Sequence, residues 1–372
     1  MKHYHLRIGL GLGMVTAMML VMCIAAITGC EKKKGDDSSL MSMLILGISG
    51  PGSVKTENTA LNTFKMVYAN DQDSITLPYV SDIDTTILTR KFSIGQTEVT
   101  NALVAEVYQW AYDNGKFSDT VGDHNGIADW TVKYGGQELI NLDVGVIKIH
   151  FSGTPGGSFT VDTGFENSPA GLITWYGAVM FCNWLTEMMD GNTDNVVYTI
   201  PDTTWVDTET VEDASRTGYR LPSSSEWVFA SRYLGKVPPK VEDLASDYIA
   251  QGLNGGNAAL TTGFYWTPTL YASGATKDYN DAVATQAVAW YVANAGGTFH
   301  QVATLAPNRL GLYDMNGNLS EWTFTIGTDP NSRWLAGGNY TEVQTVMRSS
   351  MIAYWGANAC DVPVGFRVAK TR

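Results

Sequence analysis

The chain has 372 residues, enough for one large domain or two ordinary ones, and 44% of them are hydrophobic, a share typical of globular proteins. Its 24 Lys and Arg stand against 37 Asp and Glu, a net charge of −13. So acidic a chain lacks the cationic surface that nucleic acid or anionic lipid headgroups need, and neither is expected as a partner.

The first 29 residues stand apart. Lys2, His3, His5 and Arg7 make a polar, basic start, an apolar run follows from Ile8 to Ile27, and Ile27-Thr28-Gly29-Cys30 sets a small residue before a cysteine. This resembles the bacterial lipoprotein signal, which implies that Cys30 carries the lipid and becomes the new N-terminus. The alternative is a retained transmembrane helix, because the apolar run is about long enough to span a bilayer. Residues 1–29 are therefore set aside as a signal peptide, and residues 30–63, with EKKKGDDSS and SGPGS, read as a tether. Removing residues 1–29 takes away two basic residues and no acidic one, which leaves −15. The expected location is the bacterial cell envelope, outside the cytoplasmic membrane, with the membrane reached through the lipid anchor.

From Phe64, FKMVY begins alternating, strand-like sequence. Glu98 to Tyr112 reads as a helix that Thr100 can cap and Asn114-Gly115 stop. Asp123 to Asp129, DHNGIAD, lacks the regular acidic spacing of a calcium loop and reads as a polar turn. A second helix runs from about Thr174 to Met189, with Trp175, Ala178, Cys182, Leu185 and Met189 on one face and Asp190-Gly191-Asn192 at its end. Ser223 and Glu226 open a third helix with a capping box. The rest is short strands, glycine-rich turns and irregular connections, without a repeat of fixed period. Residues 64–372 thus read as a single α+β domain with few helices and much coil.

Cys23 falls in the signal, so Cys182 and Cys360 can form at most one disulfide; two unpaired thiols are expected. Neither has a second Cys or His at zinc-ligand spacing, and His124, His150 and His300 are too scattered to form a helical ligand set.

Several segments carry a family resemblance in their order: FSIGQTEVTNALV from Phe92, CNWL from Cys182, GYRLPSSSEWVFASR from Gly218, GLYDMNGNLSEW from Gly311, the paired glycines Gly337 and Gly338, Arg348, and VGFRV from Val364. Together they resemble the formylglycine-generating enzyme (sulfatase-modifying factor) family over nearly all of the domain. The resemblance implies a fold related to C-type lectins, one that hosts oxidases, ergothioneine-type enzymes and plain binding modules. It also implies calcium at the central loop, held by the carboxylates of Asp314 and Glu321 and the carbonyls of Gly317 and Leu319. The alternative is that Asp314 caps a turn, Gly317 supplies a positive φ and Glu321 pairs with an arginine. Active members bind copper(I) through two cysteines after the paired glycines, and here those positions hold Glu342 and Met347. A carboxylate and one thioether do not replace two thiolates for a soft ion, so copper is not expected.

Between Trp334 and Cys360, Tyr340, Tyr354 and Trp355 are interleaved with Asn339, Glu342, Gln344 and Asn358. In lectin-like folds this closing segment lines the outward surface, and some relatives diversify it for binding. If it is a strand, Tyr340, Glu342 and Gln344 share its wet face. Core packing of the aromatic residues is the competing reading. The function expected is a lipid-anchored, non-catalytic module that binds protein or glycan through Tyr340, Glu342, Gln344, Tyr354 and Trp355. The alternative is a formylglycine-generating or related metal-dependent oxidoreductase of the same family.

Overall fold

The computed structural model describes residues 59–71, 75–77, 87–116, 119–124, 127–142, 146–152, 157–200, 210–236 and 264–372. The signal, Cys30 and nearly all of the tether lie outside the described residues. Five helices are described: α1 (Thr59–Thr63), α2 (Asn101–Asp113), α3 (Trp175–Asp190), α4 (Ser224–Arg232) and α5 (Ala282–Gln286). Two four-stranded sheets organise the domain. The strands are β1 (Met66–Asn70), β2 (Phe92–Gly95), β3 (Tyr219–Arg220), β4 (Ser320–Ile326), β5 (Ser332–Ala336), β6 (Ile352–Gly356), β7 (Val364–Phe366) and β8 (Ala369–Thr371). The first sheet has the order β1-β2-β8-β3 and is antiparallel. The second has the order β6-β5-β4-β7, with only the β4–β7 pair parallel. A three-stranded antiparallel sheet within 119–141 and a hairpin at 149–161 lie beside the helices, Gln137–Asn141 against α3 and Phe159–Val161 against α2.

The helix ends are set locally. Thr100 stays extended and its hydroxyl accepts from the N–H of Leu103, so α2 begins at Asn101 rather than at Glu98. The Thr174 hydroxyl accepts from Gly177 N–H at 3.0 Å, and Gly191, with φ of 70°, ends α3. Both capping-box bonds join Ser223 and Glu226. On α3 the expected single apolar face is too narrow: every residue from Trp175 to Thr186 is buried, whereas Met189, in the last turn, is exposed. A helix buried all round belongs in the centre of a domain. Gly177 permits this, since a Cβ there would lie 2.0 Å from the Leu139 carbonyl oxygen.

The larger apolar cluster surrounds α2 and α3, with Trp184 edge-on to Tyr108 at 5.2 Å. A second lies between α4 and the sheets, around Trp227, Phe229 and Trp266. Each buried ring of this size contributes roughly 4–6 kcal/mol of transfer free energy before the entropy of ordering is counted. Cys182 is buried and Cys360 donates to the Leu172 carbonyl oxygen at 2.8 Å; both are free thiols.

Candidate functional site

The central loop, 311–321, lies where the two sheets meet. Arg367, between β7 and β8, is fully buried and reaches across this junction. Its Nε and Nη2 donate to Glu321 Oε2 and Oε1, both at 2.6 Å. Nη1 donates to the Gly95 carbonyl at 3.1 Å and Nη2 also to that of Tyr313 at 2.9 Å. Trp227 Nε1 adds a third bond to Glu321, at 2.7 Å. Such a two-pronged pair is the strongest arrangement that Arg and carboxylate make.

Two more acids adjoin the pair. Glu98 is buried and accepts from Asn318 Nδ2 at 2.7 Å and from Leu319 N–H at 2.9 Å. Burial raises its pKa well above the usual carboxylate range, and the charges of Asp314 and Glu321 push it the same way. Asp314 accepts from Ala303 N–H at 2.8 Å through Oδ2, while its buried Oδ1 has no partner. Burial lifts the Asp314 pKa to about 6, against the opposing pull of the Ala303 N–H and Arg367. Three buried carboxyl groups thus face one guanidinium, and the two that Arg367 does not grip are held toward their neutral form.

This geometry already engages part of the ligand set implied for calcium. Glu321 has both oxygens engaged by Arg367 and Trp227. Asp314 Oδ1 and the carbonyls of Gly317 and Leu319 would supply three oxygens, only one from a carboxyl group, where calcium takes six to eight. Among the described residues, no three His, Cys, Asp or Glu side chains are grouped to hold a metal ion. In this geometry the arginine pair organises the loop, and Asp314 Oδ1 is the carboxyl oxygen of the implied set left without a partner. Gly317 has the positive φ of the alternative, 75°, and a Cβ there would lie 2.1 Å from the Trp290 carbonyl oxygen.

The closing segment departs further from expectation. Gly337 and Gly338, with φ of 90° and 69°, turn the chain out of β5. Asn339 Oδ1 then accepts from the N–H and hydroxyl of Thr341, and Gln344–Val346 form a 3₁₀ turn. No strand runs through 340–344, so its residues do not alternate between two faces. Tyr340 is only 8% exposed and packs with Ala295, Phe299 and Leu319. Glu342 and Gln344 are half-buried elsewhere: Glu342 accepts from Val292 N–H through its carbonyl, and Gln344 Nε2 donates to the Tyr279 carbonyl. Tyr354 and Trp355 lie on β6, 52% and 44% exposed. Tyr354 stands edge-on to Trp334 at 5.8 Å, and Trp355 is the cross-strand neighbour of Arg333, whose guanidinium stacks on Trp175 at 4.2 Å. The five residues expected to cluster thus each turn to different neighbours. Met347, at the second copper-ligand position, is buried among Ala272, Ala275, Val288, Ala289 and Tyr291.

Sequence reasoning missed Glu98 and Arg367 as centres of the site. The signal was present: a charged residue inside an otherwise apolar strand end, as in VGFRV, is tolerated only when it is paired.

A fold of two small sheets around an Arg-bound central loop defines the class, and the sequence places the chain within it. Residues 63–372 match the Sulfatase-modifying factor enzyme 1-like domain, and the chain belongs to that family. It is 25% identical over 239 residues to "Chaperone protein LppX" of Paenibacillus barcinonensis, which covers 56% of this chain and 71% of that protein. Two solved structures share the fold. Treponema denticola variable protein 1 has a TM-score of 0.50 and 20% identity over 83% of this chain and 95% of that one. CarF has a TM-score of 0.50 and 21% identity over 83% and 98%. At these identities the likeness is one of fold alone.

Proposed function

We propose that this chain is a lipid-anchored envelope module that binds another protein and carries out no chemistry on it. The observation that carries the reading is the exposed aromatic pair Tyr354 and Trp355, two large rings that are neighbours on one strand. A protein partner is favoured over a glycan by the likeness to a protein named as a chaperone. Anchoring rests on the sequence ending in Gly29-Cys30. It agrees with a domain in which no helix among the described residues is long and apolar enough to cross a membrane.

Two experiments test the reading. Crosslinking of the mature chain to envelope proteins in intact cells is expected to give a discrete partner that Trp355→Ala loses, with the melting temperature unchanged. A glycan array bound by the same chain in place of a protein partner would overturn the choice of ligand. Metabolic labelling with a palmitate analogue should mark the chain and fail on Cys30→Ala; labelling that survives the substitution would place the anchor elsewhere.

A further inference from the structure

β6 is the end strand of the second sheet, and among the described residues it has β5 as its only partner strand. Its residues Ala353, Tyr354 and Trp355 are exposed in succession, which means that both faces of the strand are open. End strands are dangerous because their free N–H and C=O groups template further pairing, and natural sheets guard them with charge, proline, bulges or brevity. Every other end strand of the two sheets is guarded in this way. β1 has a bulge between Tyr68 and Asn70, and Arg372 lies 3.7 Å over Tyr68. β3 is two residues long and includes Arg220. β7 lies between Pro363 and Arg367. β6 has none of these. From Ser349 to Cys360 there is no charged residue and no proline, and its pairing with β5 runs without a register shift.

We propose that β6 is the docking strand of this module: an extended segment of the partner protein adds to the second sheet as a fifth strand beside β6. The proposal rests on the reading above that the partner is a protein, and names how it is held. A free sheet edge offers alternating main-chain donors and acceptors, which only another extended backbone can complete; a sugar or a lipid cannot. Tyr354 and Trp355 point to opposite faces, so each face of the incoming strand meets one aromatic ring. Side chains of alternating β-branched type fit that surface best. The mature chain carries 37 acidic residues against 22 basic ones, so the segment is neutral or basic rather than acidic.

The test uses the mature full chain in detergent and a fluorescein-labelled peptide, Lys-Thr-Val-Thr-Val-Thr-Val-Lys, followed by anisotropy. Two isomers of the peptide carry N-methyl groups on alternate amides, in opposite phases. Strand addition predicts saturable binding by the parent, at least tenfold loss in the one N-methylated isomer whose blocked amides face β6, and little loss in the other. Ala353→Lys, which places a guard on an exposed position, is expected to weaken the parent peptide at least tenfold at unchanged melting temperature. Equal binding of both N-methylated isomers, or no binding of the parent, overturns the proposal. So does a concentration-dependent dimer abolished by Ala353→Lys, which would make a second copy the occupant. If Trp355→Ala loses its crosslinked partner while N-methylation has no effect, the partner reading stands and strand addition alone falls.

Discussion

Asp314→Asn is the sharpest probe of the buried acid cluster. Asparagine keeps an oxygen to accept from Ala303 N–H and tolerates the φ of 54° found at this position. It removes only the ability to ionise. An acid whose folded pKa lies above its unfolded one holds its proton more tightly when folded. Its contribution is therefore fully present below the unfolded value of 3.8 and is withdrawn as pH rises toward about 6. At about 1.4 kcal/mol per pKa unit, a rise of roughly two units withdraws about 3 kcal/mol by neutral pH. Urea unfolding followed by tryptophan fluorescence should find the variant more stable than the native chain at pH 7.5 by up to about that amount. The advantage should vanish at pH 4. Chelator should leave both melting curves in place. The reasoning is refuted if the variant parallels the native chain at every pH. It is also refuted if the variant is less stable at pH 7.5 and calcium stabilises only the native chain, which would return Asp314 to the role of a metal ligand.

Glu321→Gln strips the buried Arg367 of its counter-charge and should cost about 3–5 kcal/mol in the same unfolding assay. Gly317→Ala faces both a left-handed φ and the Trp290 carbonyl, and is expected to cost more than about 3 kcal/mol or to prevent folding, read as loss of soluble yield. Incubation of the purified chain with copper(I), oxygen and a cysteine-containing sulfatase peptide should leave the peptide mass unchanged; an aldehyde product would mean that a site other than Glu342 and Met347 carries the oxidation.

The parts of this fold that were legible in advance are those whose physics is local. Thr100 and Ser223 cap helices through groups three residues away, so both could be read from a short window. Gly317 was legible because a left-handed turn asks for glycine wherever it occurs. Glu98 reads from the sequence as the start of α2, because nothing near it in sequence reveals that Leu319 and Asn318 will meet it. Tyr340 was misplaced for a related reason. Alternating residue types indicate a strand only if the backbone is extended, and after Gly337 and Gly338 the chain enters a turn at Tyr340 instead. Tyr354 and Trp355 were the reverse case: β6 is a strand, but at the sheet edge both of its faces are open, so the two residues are exposed on opposite sides.

The bonds of the acid cluster also order events in time. Glu98 meets Leu319, 221 residues further on, and Gly95 meets Arg367, 272 residues further on. Contacts so distant in sequence close late and slow folding. As the chain emerges residue by residue, α2 and α3 can form early, yet the junction of the two sheets must wait for Arg367 to arrive. Until then Glu98, Asp314 and Glu321 have no cation to draw them together, and the first sheet lacks β8 between β2 and β3. A nascent chain stopped just before Arg367 would present a first sheet without β8 and an unpaired acid cluster to the chaperones and proteases around it, and the turn that bears Arg367 acts as the closing step of assembly.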